Sequence, residues 1–232
     1  MNMSNMIWAN IIWAIIGYLI GSINFSILIT SRSKNKEHIG NLGSGNPGAT
    51  NALRNYGWKF GLLIFLLDVS KSYWFTFIGL TLLRWVPFFD QLYVQAISLF
   101  VILGHIFPIF FKFKGGKGAA TNLGLISSIS LILSMIGFII FFVIILTTKF
   151  VSAGSFICPL ILAPLTFIPE LNGWHDSFLN GTNLDGSGSL YWLSFLSLMI
   201  ASLMIIFSHR SNIKKILNGT ETKMILIKKK IK

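Results

Sequence analysis

Long apolar stretches separated by short polar segments follow one another along the whole chain. They lie at about residues 6 to 30, 59 to 83, 91 to 111, 118 to 147, 150 to 169 and 190 to 208. Each stretch is close to or above the length of ~20 residues at which a helix crosses the hydrocarbon core of a bilayer. The pattern predicts an all-α polytopic membrane protein that folds as a single domain over residues 1–232.

The composition agrees with this prediction. Hydrophobic residues make up 53% of the chain and charged residues 11%, whereas a soluble domain carries about 25% charged residues. Soluble, disordered and disulfide-rich classes are therefore excluded, and the single cysteine, Cys158, forms no intramolecular disulfide. The net charge of +12 favours membrane lipids or an anionic substrate as partners, and nucleic acid is not expected.

The basic residues predict which side of the membrane each segment faces. Segments 31–57 and 112–121 and the tail from His209 are rich in Lys and Arg and are predicted to be cytoplasmic. No Lys or Arg precedes the first apolar run, so the N-terminus is predicted to lie outside. An outside N-terminus and a cytoplasmic C-terminus require an odd number of crossings, whereas six stretches give an even number.

A turn near Ser127 to Ser130 resolves this conflict. It would divide residues 118–147 into a short helix and a full one, which gives seven transmembrane helices with the fourth of half length. The alternative has five spans and a late re-entrant segment, because so short a crossing requires shielding by protein or a thinner bilayer.

The first cytoplasmic segment contains the glycine-rich run GSGNPGATNALR at residues 43–54. Its opening matches the dinucleotide pattern GxGxxG, but no buried strand precedes it, so a dinucleotide fold is excluded. A glycine-rich turn before a helix exposes backbone N–H groups that suit phosphate, and Arg54 would add a fork of donors. A tight loop between spans is the alternative interpretation.

The other two segments are equally rich in polar groups. The run KFKGGKGAAT at residues 112–121 fails the Walker pattern, but its glycines and Lys117 would form an oxyanion cradle. In HRSNIKKILNGTE at residues 209–221, His209 and Asn212 would share one helix face. Positive-inside anchoring and an interfacial histidine are the respective alternatives.

Two charges lie within the second apolar stretch. Asp68 and Lys71 are three residues apart and can pair on one helix face, which favours a supporting role for both. His105 would either face the predicted site or be a satisfied buried histidine.

In order along the chain, these motifs resemble the bacterial acyl-phosphate:glycerol-3-phosphate acyltransferase family of integral membrane enzymes. The resemblance rests on Gly21-Ser22, the run at 43–54, the spacing of Asp68 and Lys71, Gly104-His105, and the runs at 112–121 and 209–221. It implies transfer of a fatty acyl group from acyl phosphate to the 1-hydroxyl of glycerol 3-phosphate. The products would be lysophosphatidic acid and phosphate, in the first step of phospholipid biosynthesis, without a metal or nucleotide cofactor.

The resemblance also implies roles for individual residues. Catalytic roles fall on Ser44, Arg54, Lys117, His209 and Asn212. The resemblance adds Ser155 as a substrate-binding residue, beside the loop residues whose backbone donors and polar groups are expected to hold the phosphates: Gly43, Gly45, Asn46, Thr50, Asn51, Gly115, Gly116 and Gly118. A structural role falls on Glu221, beside the supporting role already inferred for Asp68 and Lys71. The enzyme would lie in the bacterial cell membrane with its site facing the cytoplasm, and the acyl chain would enter sideways from the bilayer.

The chain departs from the family pattern at residues 38–40, where His-Ile-Gly replaces an Asp-Ile-Arg-like triplet, and its loop at 170–189 is longer than expected.

The mechanism places two anionic substrates together, so cations must offset their repulsion, and Arg54 and Lys117 are the candidates. The phosphate of the donor would take the hydroxyl proton, with His209 as the competing base and an acyl-Ser44 intermediate disfavoured. The alternative functions are a transporter for a phosphorylated solute and a structural scaffold.

Overall fold

The computed structural model describes residues 3–33, 37–89, 92–171 and 189–224. These ranges contain helices and turns and no strand, which confirms the predicted all-α class. The helices are α1 (Met3–Gly21), α2 (Phe25–Arg32), α3 (Ala49–Tyr56), α4 (Trp58–Trp85), α5 (Val94–Ile106), α6 (Ala119–Ile129), α7 (Leu131–Thr148), α8 (Val151–Leu165), α9 (Ser189–Ser208) and α10 (Arg210–Leu217). Single 3-10 turns lie at Ile39–Asn41, Pro87–Phe89, Ile109–Phe111 and Pro169–Leu171.

The predicted division of residues 118–147 is confirmed. Helix α6 ends at Ile129, and Ser130 adopts an extended conformation (φ −157°, ψ 124°) before α7 begins. The Ser130 hydroxyl accepts a hydrogen bond from Leu133 N at 3.1 Å and so caps the new helix. The chain therefore forms a short helix followed by a full one.

Among the described residues, four helical segments have the length and apolarity to cross a membrane: α1, α4, α7, and α5 continued through the next turn to Phe111. Helix α9 with α10 forms a pair bent by 61° that would be a fifth. Helices α6 and α8 are apolar but shorter, with 11 and 15 residues. The seven apolar helices match the predicted order, whereas the number of crossings and their orientation remain predictions.

The first apolar stretch does not form one helix to residue 30 as predicted. Helix α1 ends at Gly21, and Asn24 begins α2 by accepting a hydrogen bond from Ile27 N at 3.1 Å. Ser22 and Asn24 are buried polar residues in this break, with 0% and 1% exposure. The physical reason for the break is that these polar groups bond to other segments: Asn24 donates to Pro47 O of the first motif, and Ser22 accepts a hydrogen bond from Ile109 N at 3.4 Å.

Close backbone packing joins α1 to α5. A Cβ atom on Gly104 of α5 would lie 2.2 Å from Tyr18 O of α1, so only glycine permits this approach. Trp13 of α1 stacks on Phe75 of α4 with ring centroids 4.7 Å apart, which adds α4 to the same core. A second core joins α5 to α9 through Ile102, Leu125, Leu133, Leu162 and Leu198.

The outward surfaces of the long helices are apolar. Ile15 on α1 is 55% exposed, and Met135 and Ile139 on α7 are 67% and 65% exposed. Apolar surface of this extent is typical of contact with lipid. Several residues used in the topology prediction, Lys34, Lys36, Asp176, Asp185 and the tail from Lys228, lie outside the described residues, as does most of the loop at 170–189.

Candidate active site

The three polar segments meet around one cavity of about 220 Å³, here called the inner cavity. Its polar wall contains these predicted site residues: Ser44, Asn46, Thr50, Asn51, Arg54, Asp68, Lys117, Gly118, Ser155, His209, Asn212 and Glu221. Its apolar wall contains Phe65, Leu123, Ile126, Phe138, Phe141 and Leu162, from α4, α6, α7 and α8. One space therefore has a polar side, with the cations Arg54 and Lys117 and the carboxylates Asp68 and Glu221, and an apolar side.

A second, larger space of about 690 Å³, here called the outer basin, adjoins the inner cavity. The two spaces share Ser44, Asn46, Lys117 and Asn212 in their walls. Gly45 and Gly115 of the predicted binding residues line the outer basin only. The departures from the family pattern, His38 and Gly40, also line it, so they lie beside the site.

Asn51 organises the first motif. Its side chain accepts a hydrogen bond from Ser44 N at 3.1 Å and donates one to Leu42 O at 3.0 Å. The Ser44 hydroxyl accepts a hydrogen bond from Asn46 N at 3.4 Å, which holds the next turn. The Asn51 amide is thus engaged by the loop itself, and its contribution to the site is the position that it gives to Ser44.

Buried polar groups of the α1–α2 break fix the other side of this loop. Ser26 donates a hydrogen bond to Pro47 O at 2.8 Å, and Asn24 donates a longer one to the same oxygen at 3.4 Å. Pro47 precedes the α3 N-terminus, whose first helical residue is Ala49. The break in the first apolar stretch therefore positions a helix start beside the inner cavity, where free N–H groups favour anions.

The lysine loop depends on glycine at Gly116. Its N–H donates a hydrogen bond to His105 O at 3.0 Å, and a Cβ atom there would lie 2.1 Å from His105 Nε2. The next residue is Lys117, whose carbonyl oxygen accepts a hydrogen bond from Ser208 at 2.8 Å. Gly116 lines neither space, so its contribution to the site is to position the neighbouring Lys117 at the inner cavity.

The Lys117 ammonium belongs to a chain of polar side chains. It donates a short hydrogen bond to Asn212 Oδ1, and Asn212 donates to Glu221 Oε1 at 2.7 Å. Ser152 donates to the same carboxylate oxygen at 2.8 Å. Burial lowers the pKa of Lys117, the Glu221 carboxylate opposes this effect, and the nearby Lys215 and Arg54 add to it. Glu221 therefore orients Asn212, which in turn orients Lys117.

Replacing Glu221 tests this series of hydrogen bonds. Glu221→Ala leaves the donors of Asn212 and Ser152 unpaired, and the expected loss is about 2 kcal/mol of stability. Glu221→Gln keeps an acceptor oxygen of the same reach and is expected to retain most of that stability. Thermal unfolding of the detergent-purified variants measures both effects. Equal losses in the two variants would show that the charge matters and the acceptor does not.

His209 is buried, with 4% of its surface exposed, at the junction of α9 and α10. Because a carbonyl oxygen only accepts, the ring nitrogen Nδ1 donates the hydrogen bond to Ile205 O at 2.9 Å. Burial lowers the pKa of His209 to about 4, so the ring is neutral at pH 7. Nε2 then carries a lone pair and acts as an acceptor toward the cavity that His209 lines.

This histidine makes stability depend on pH. Above pH 6.5, the ordinary pKa of a histidine side chain, the ring is mostly neutral in both folded and unfolded chains. As the pH falls from about 6.5 to about 4, the unfolded chain binds a proton that the folded chain does not. We expect the free energy of unfolding to fall by about 3 kcal/mol across this window. Thermal unfolding at pH 7.5 and pH 5 should show about 2 kcal/mol of this loss in the native protein, and a matching loss in His209→Gln would contradict it.

Lys71 ties the membrane-embedded part of the site together. Its ammonium lies 3.1 Å from Asp68 Oδ1 and donates to His105 Nδ1 at 2.8 Å. It also donates to Gly21 O at 3.2 Å and Ile23 O at 3.1 Å, at the end of α1. Lys71 does not line either space, and it links the α1–α2 break to the histidine that holds Gly116.

The structure also uses residues that the sequence pattern did not single out. Ser152 and Ser208 bond to the lysine chain, and Asn24 and Ser26 hold the first motif. Asn122 is 1% exposed and lines the inner cavity, where its Oδ1 atom has no hydrogen-bond partner among the described residues. Isolated Ser and Asn residues in apolar segments carry no motif, so their only signal was their polarity within predicted spans. Gly43, predicted to bind substrate, packs against Asn51 outside both walls.

Known proteins are similar to this chain over most of its length. Residues 11–219 match the family model described as glycerol-3-phosphate acyltransferase. The chain belongs to the glycerol-3-phosphate acyltransferase family. A relative of that name from Mycoplasma mobile is 48% identical over 99% of this chain and 98% of its own length. Another from Mycoplasmopsis pulmonis is 39% identical over 91% of this chain and 92% of its own.

Solved structures of the family have the same fold. The glycerol 3-phosphate form of PlsY, an integral membrane glycerol 3-phosphate acyltransferase, matches with a TM-score of 0.74 and 29% identity. That match covers 93% of this chain and 96% of the other. The lysophosphatidic acid form matches with a TM-score of 0.72 and 30% identity, over 92% and 94% of the two chains. In the ranges that the structure describes, no three His, Cys, Asp or Glu side chains come together as metal ligands.

Proposed function

We propose that this protein transfers a fatty acyl group from acyl phosphate to the 1-hydroxyl of glycerol 3-phosphate. The products are lysophosphatidic acid and inorganic phosphate. The observation that carries the proposal is the inner cavity, which joins Lys117, Arg54 and His209 to an apolar wall of four helices. Such a space suits a molecule with an anionic head and an aliphatic chain. The family membership and the ligand forms named for PlsY support this assignment.

Lys117 and Arg54 supply the positive charge. Both line the inner cavity, and their mutual repulsion contributes to the lowered pKa of Lys117. Two phosphates brought together in this space repel each other, and fixed cations offset that repulsion without having to reorganise. The α3 start and the backbone near Gly118 add N–H donors, and Ser44, Thr50 and Ser155 add hydroxyls.

The reaction needs little further chemistry. The glycerol 1-hydroxyl oxygen attacks the carbonyl carbon of acyl phosphate, and the carbon–oxygen bond to phosphate breaks as the new ester forms. The hydroxyl proton passes to the departing phosphate. Acyl phosphate is an activated donor, so positioning supplies much of the rate. The Ser44 hydroxyl accepts from Asn46 N within a turn, which favours a binding role over that of a nucleophile.

His209 is the competing proton acceptor. Its fixed tautomer presents Nε2, but a ring whose pKa is lowered to about 4 is a weak base at pH 7. We therefore assign it to accepting a hydrogen bond from the glycerol hydroxyl. In this proposal the enzyme is a single domain in the bacterial cell membrane, with the three motif segments facing the cytoplasm and the acyl chain entering sideways past Phe138.

Release of inorganic phosphate from palmitoyl phosphate by the purified protein tests the proposal. Phosphate release should require glycerol 3-phosphate and should be matched by formation of lysophosphatidic acid. If folded protein binds glycerol 3-phosphate but forms no product from palmitoyl phosphate or from a palmitoyl thioester, the proposal fails. Uptake of glycerol 3-phosphate into vesicles containing the protein would then support the transporter alternative.

A further inference from the structure

Asn122 is a buried polar residue that the reaction described above does not use. It lies on α6, its side chain lines the inner cavity, and 1% of its surface is exposed. Its Oδ1 atom has no hydrogen-bond partner among the described residues. A buried amide left in this state costs folding free energy, because water satisfied it in the unfolded chain. Such a cost is typical of a functional site.

Two other buried polar residues of the cavity wall are already engaged. Lys71 lies 3.1 Å from Asp68 Oδ1 and donates to His105 Nδ1 at 2.8 Å. These contacts join α4 to α5, so the packing of helices accounts for both side chains. The Asn122 oxygen has no such contact in the described part of the chain, and packing does not account for its amide.

The position of Asn122 along α6 places it between the polar and apolar walls. Its N–H donates to Gly118 O at 2.7 Å, so it lies one helical turn beyond the lysine loop, about 6 Å along the axis. Ile126, on the apolar wall, follows after one more turn. Helical side chains lean toward the N-terminus of their helix, which brings the Asn122 amide nearer to the loop.

An acyl phosphate has its groups in the same order. Its phosphate is anionic, its carbonyl group follows after one bridging oxygen, and its aliphatic chain comes last. With the phosphate at Lys117 and the chain against Leu123 and Ile126, the carbonyl group lies at the depth of Asn122. The residue is therefore at the level of the reacting carbon.

We propose that Asn122 is a catalytic residue that binds the carbonyl oxygen of the acyl donor and stabilises its negative charge during transfer. The inference deepens the proposed function and rests on it. Because no partner fixes Oδ1, the amide can turn about its last bond and present an Nδ2–H donor to the cavity.

The donor acts on the charge that the reaction creates. As the glycerol oxygen attacks the carbonyl carbon, the second C=O electron pair moves onto the carbonyl oxygen. It returns when the bond to phosphate breaks, and the hydroxyl proton leaves with the phosphate. The Nδ2–H group donates to the oxygen throughout, and this hydrogen bond is strongest when the oxygen carries its full charge.

Asn122→Leu tests the inference, because leucine has a similar size and no polar atoms. With palmitoyl phosphate and glycerol 3-phosphate, kcat should fall by about a hundredfold, the effect of losing one oxyanion donor. The KM for each substrate should be retained, since the interaction acts mainly in the transition state. The unfolding temperature should rise by about 3 °C, because no buried amide is left unpaired. Asn122→Ala should lose as much kcat, which excludes a clash of the leucine with substrate.

Ser197 provides a matched control. Its hydroxyl is also buried, with 1% exposure, and has no partner among the described residues, but it lies on α9 and lines neither space. Ser197→Ala should raise the unfolding temperature in the same direction and leave kcat unchanged. A variant that is both more stable and slower is expected only where the polar group serves the reaction.

Infrared spectroscopy separates this inference from the proposed function. An analogue of palmitoyl phosphate in which CH2 replaces the bridging oxygen keeps the carbonyl group and does not react. With a 13C-labelled carbonyl, its C=O band should lie at lower frequency in the native protein than in Asn122→Leu, because a hydrogen bond weakens the C=O bond. Native protein that releases no phosphate from palmitoyl phosphate would contradict the proposed function, whereas the band tests the contact without turnover.

Several results would overturn the role of Asn122. Native kcat in Asn122→Leu would show that the reaction does not need the amide. A raised KM for palmitoyl phosphate with kcat retained would limit the residue to binding the donor. Equal carbonyl frequencies in the two proteins would show that the amide does not contact the carbonyl oxygen. A lower unfolding temperature in both Asn122 variants, with a matching loss of folded protein, would assign a structural role.

Discussion

Lys117→Ala lowers kcat/KM for acyl transfer by about a thousandfold in our expectation, as loss of a preorganised charge in an active site does. The ammonium faces the inner cavity, where Asn212 and Glu221 fix its position, so neither water nor a neighbouring lysine replaces it in the same geometry. Folding should be retained, because the side chain ends in the cavity and not in a packed core. Phosphate release from palmitoyl phosphate measures the loss.

Lys59→Ala is the control for this experiment. Lys59 lies over the Trp58 ring in the first turn of α4 and lines neither space, so its removal tests the effect of one lost positive charge. Its kcat/KM should stay within about twofold of the native value. If the Lys117→Ala protein unfolds at the same temperature as the native protein and retains full activity, Lys117 has no part in the mechanism.

Gly116→Ala is expected to impair both stability and activity. The new methyl group would lie 2.1 Å from His105 Nε2, and the ring cannot withdraw, because Lys71 holds its other nitrogen at 2.8 Å. Overpacking of this kind costs about 3 kcal/mol. Displacement of the adjacent Lys117 by about 1 Å would lower kcat by about a hundredfold. Thermal unfolding and turnover of the purified variant measure the two effects.

Gly219→Ala separates the clash from the backbone effect. Gly219 has φ +71°, but no atom of the described residues lies within 4 Å of a Cβ placed there. Alanine at this position should cost about 1 kcal/mol through the left-handed backbone alone. A loss in Gly116→Ala no greater than that in Gly219→Ala would show that the loop moves without affecting His105.

Hydropathy and charge predicted the helix order well, because each apolar run must satisfy its backbone internally in a bilayer. The division near Ser130 followed from the odd number of crossings that the charged segments require, without reference to the Ser130 cap. The break at Asn24 was missed, since a few uncharged residues within an apolar run change its mean hydropathy little. Their burial and bonds to Pro47 depend on a loop more than 20 residues away, which periodicity does not report.

The site was predictable to a different degree. Glycine, lysine and histidine motifs indicated which segments meet, because their chemistry is local. The partners that orient them were not indicated, as with Ser152 on Glu221 and Ser208 on the Lys117 carbonyl. Such residues acquire their role from a neighbour in space. The outer basin was likewise not indicated, because its wall combines residues from separate segments of the chain.

The chain from Lys117 through Asn212 and Glu221 to Ser152 also bears on biosynthesis. Its hydrogen bonds join residues 95 and 69 positions apart, and its last member to be synthesised follows α10. During translation the early helices enter the membrane long before residue 221 leaves the ribosome. A nascent or truncated chain that ends before residue 221 therefore lacks the carboxylate that orients Asn212 and, through it, the Lys117 side chain. We therefore expect a chain truncated before Glu221 to be inactive, so that incomplete copies in the membrane would not draw on the supply of acyl donor.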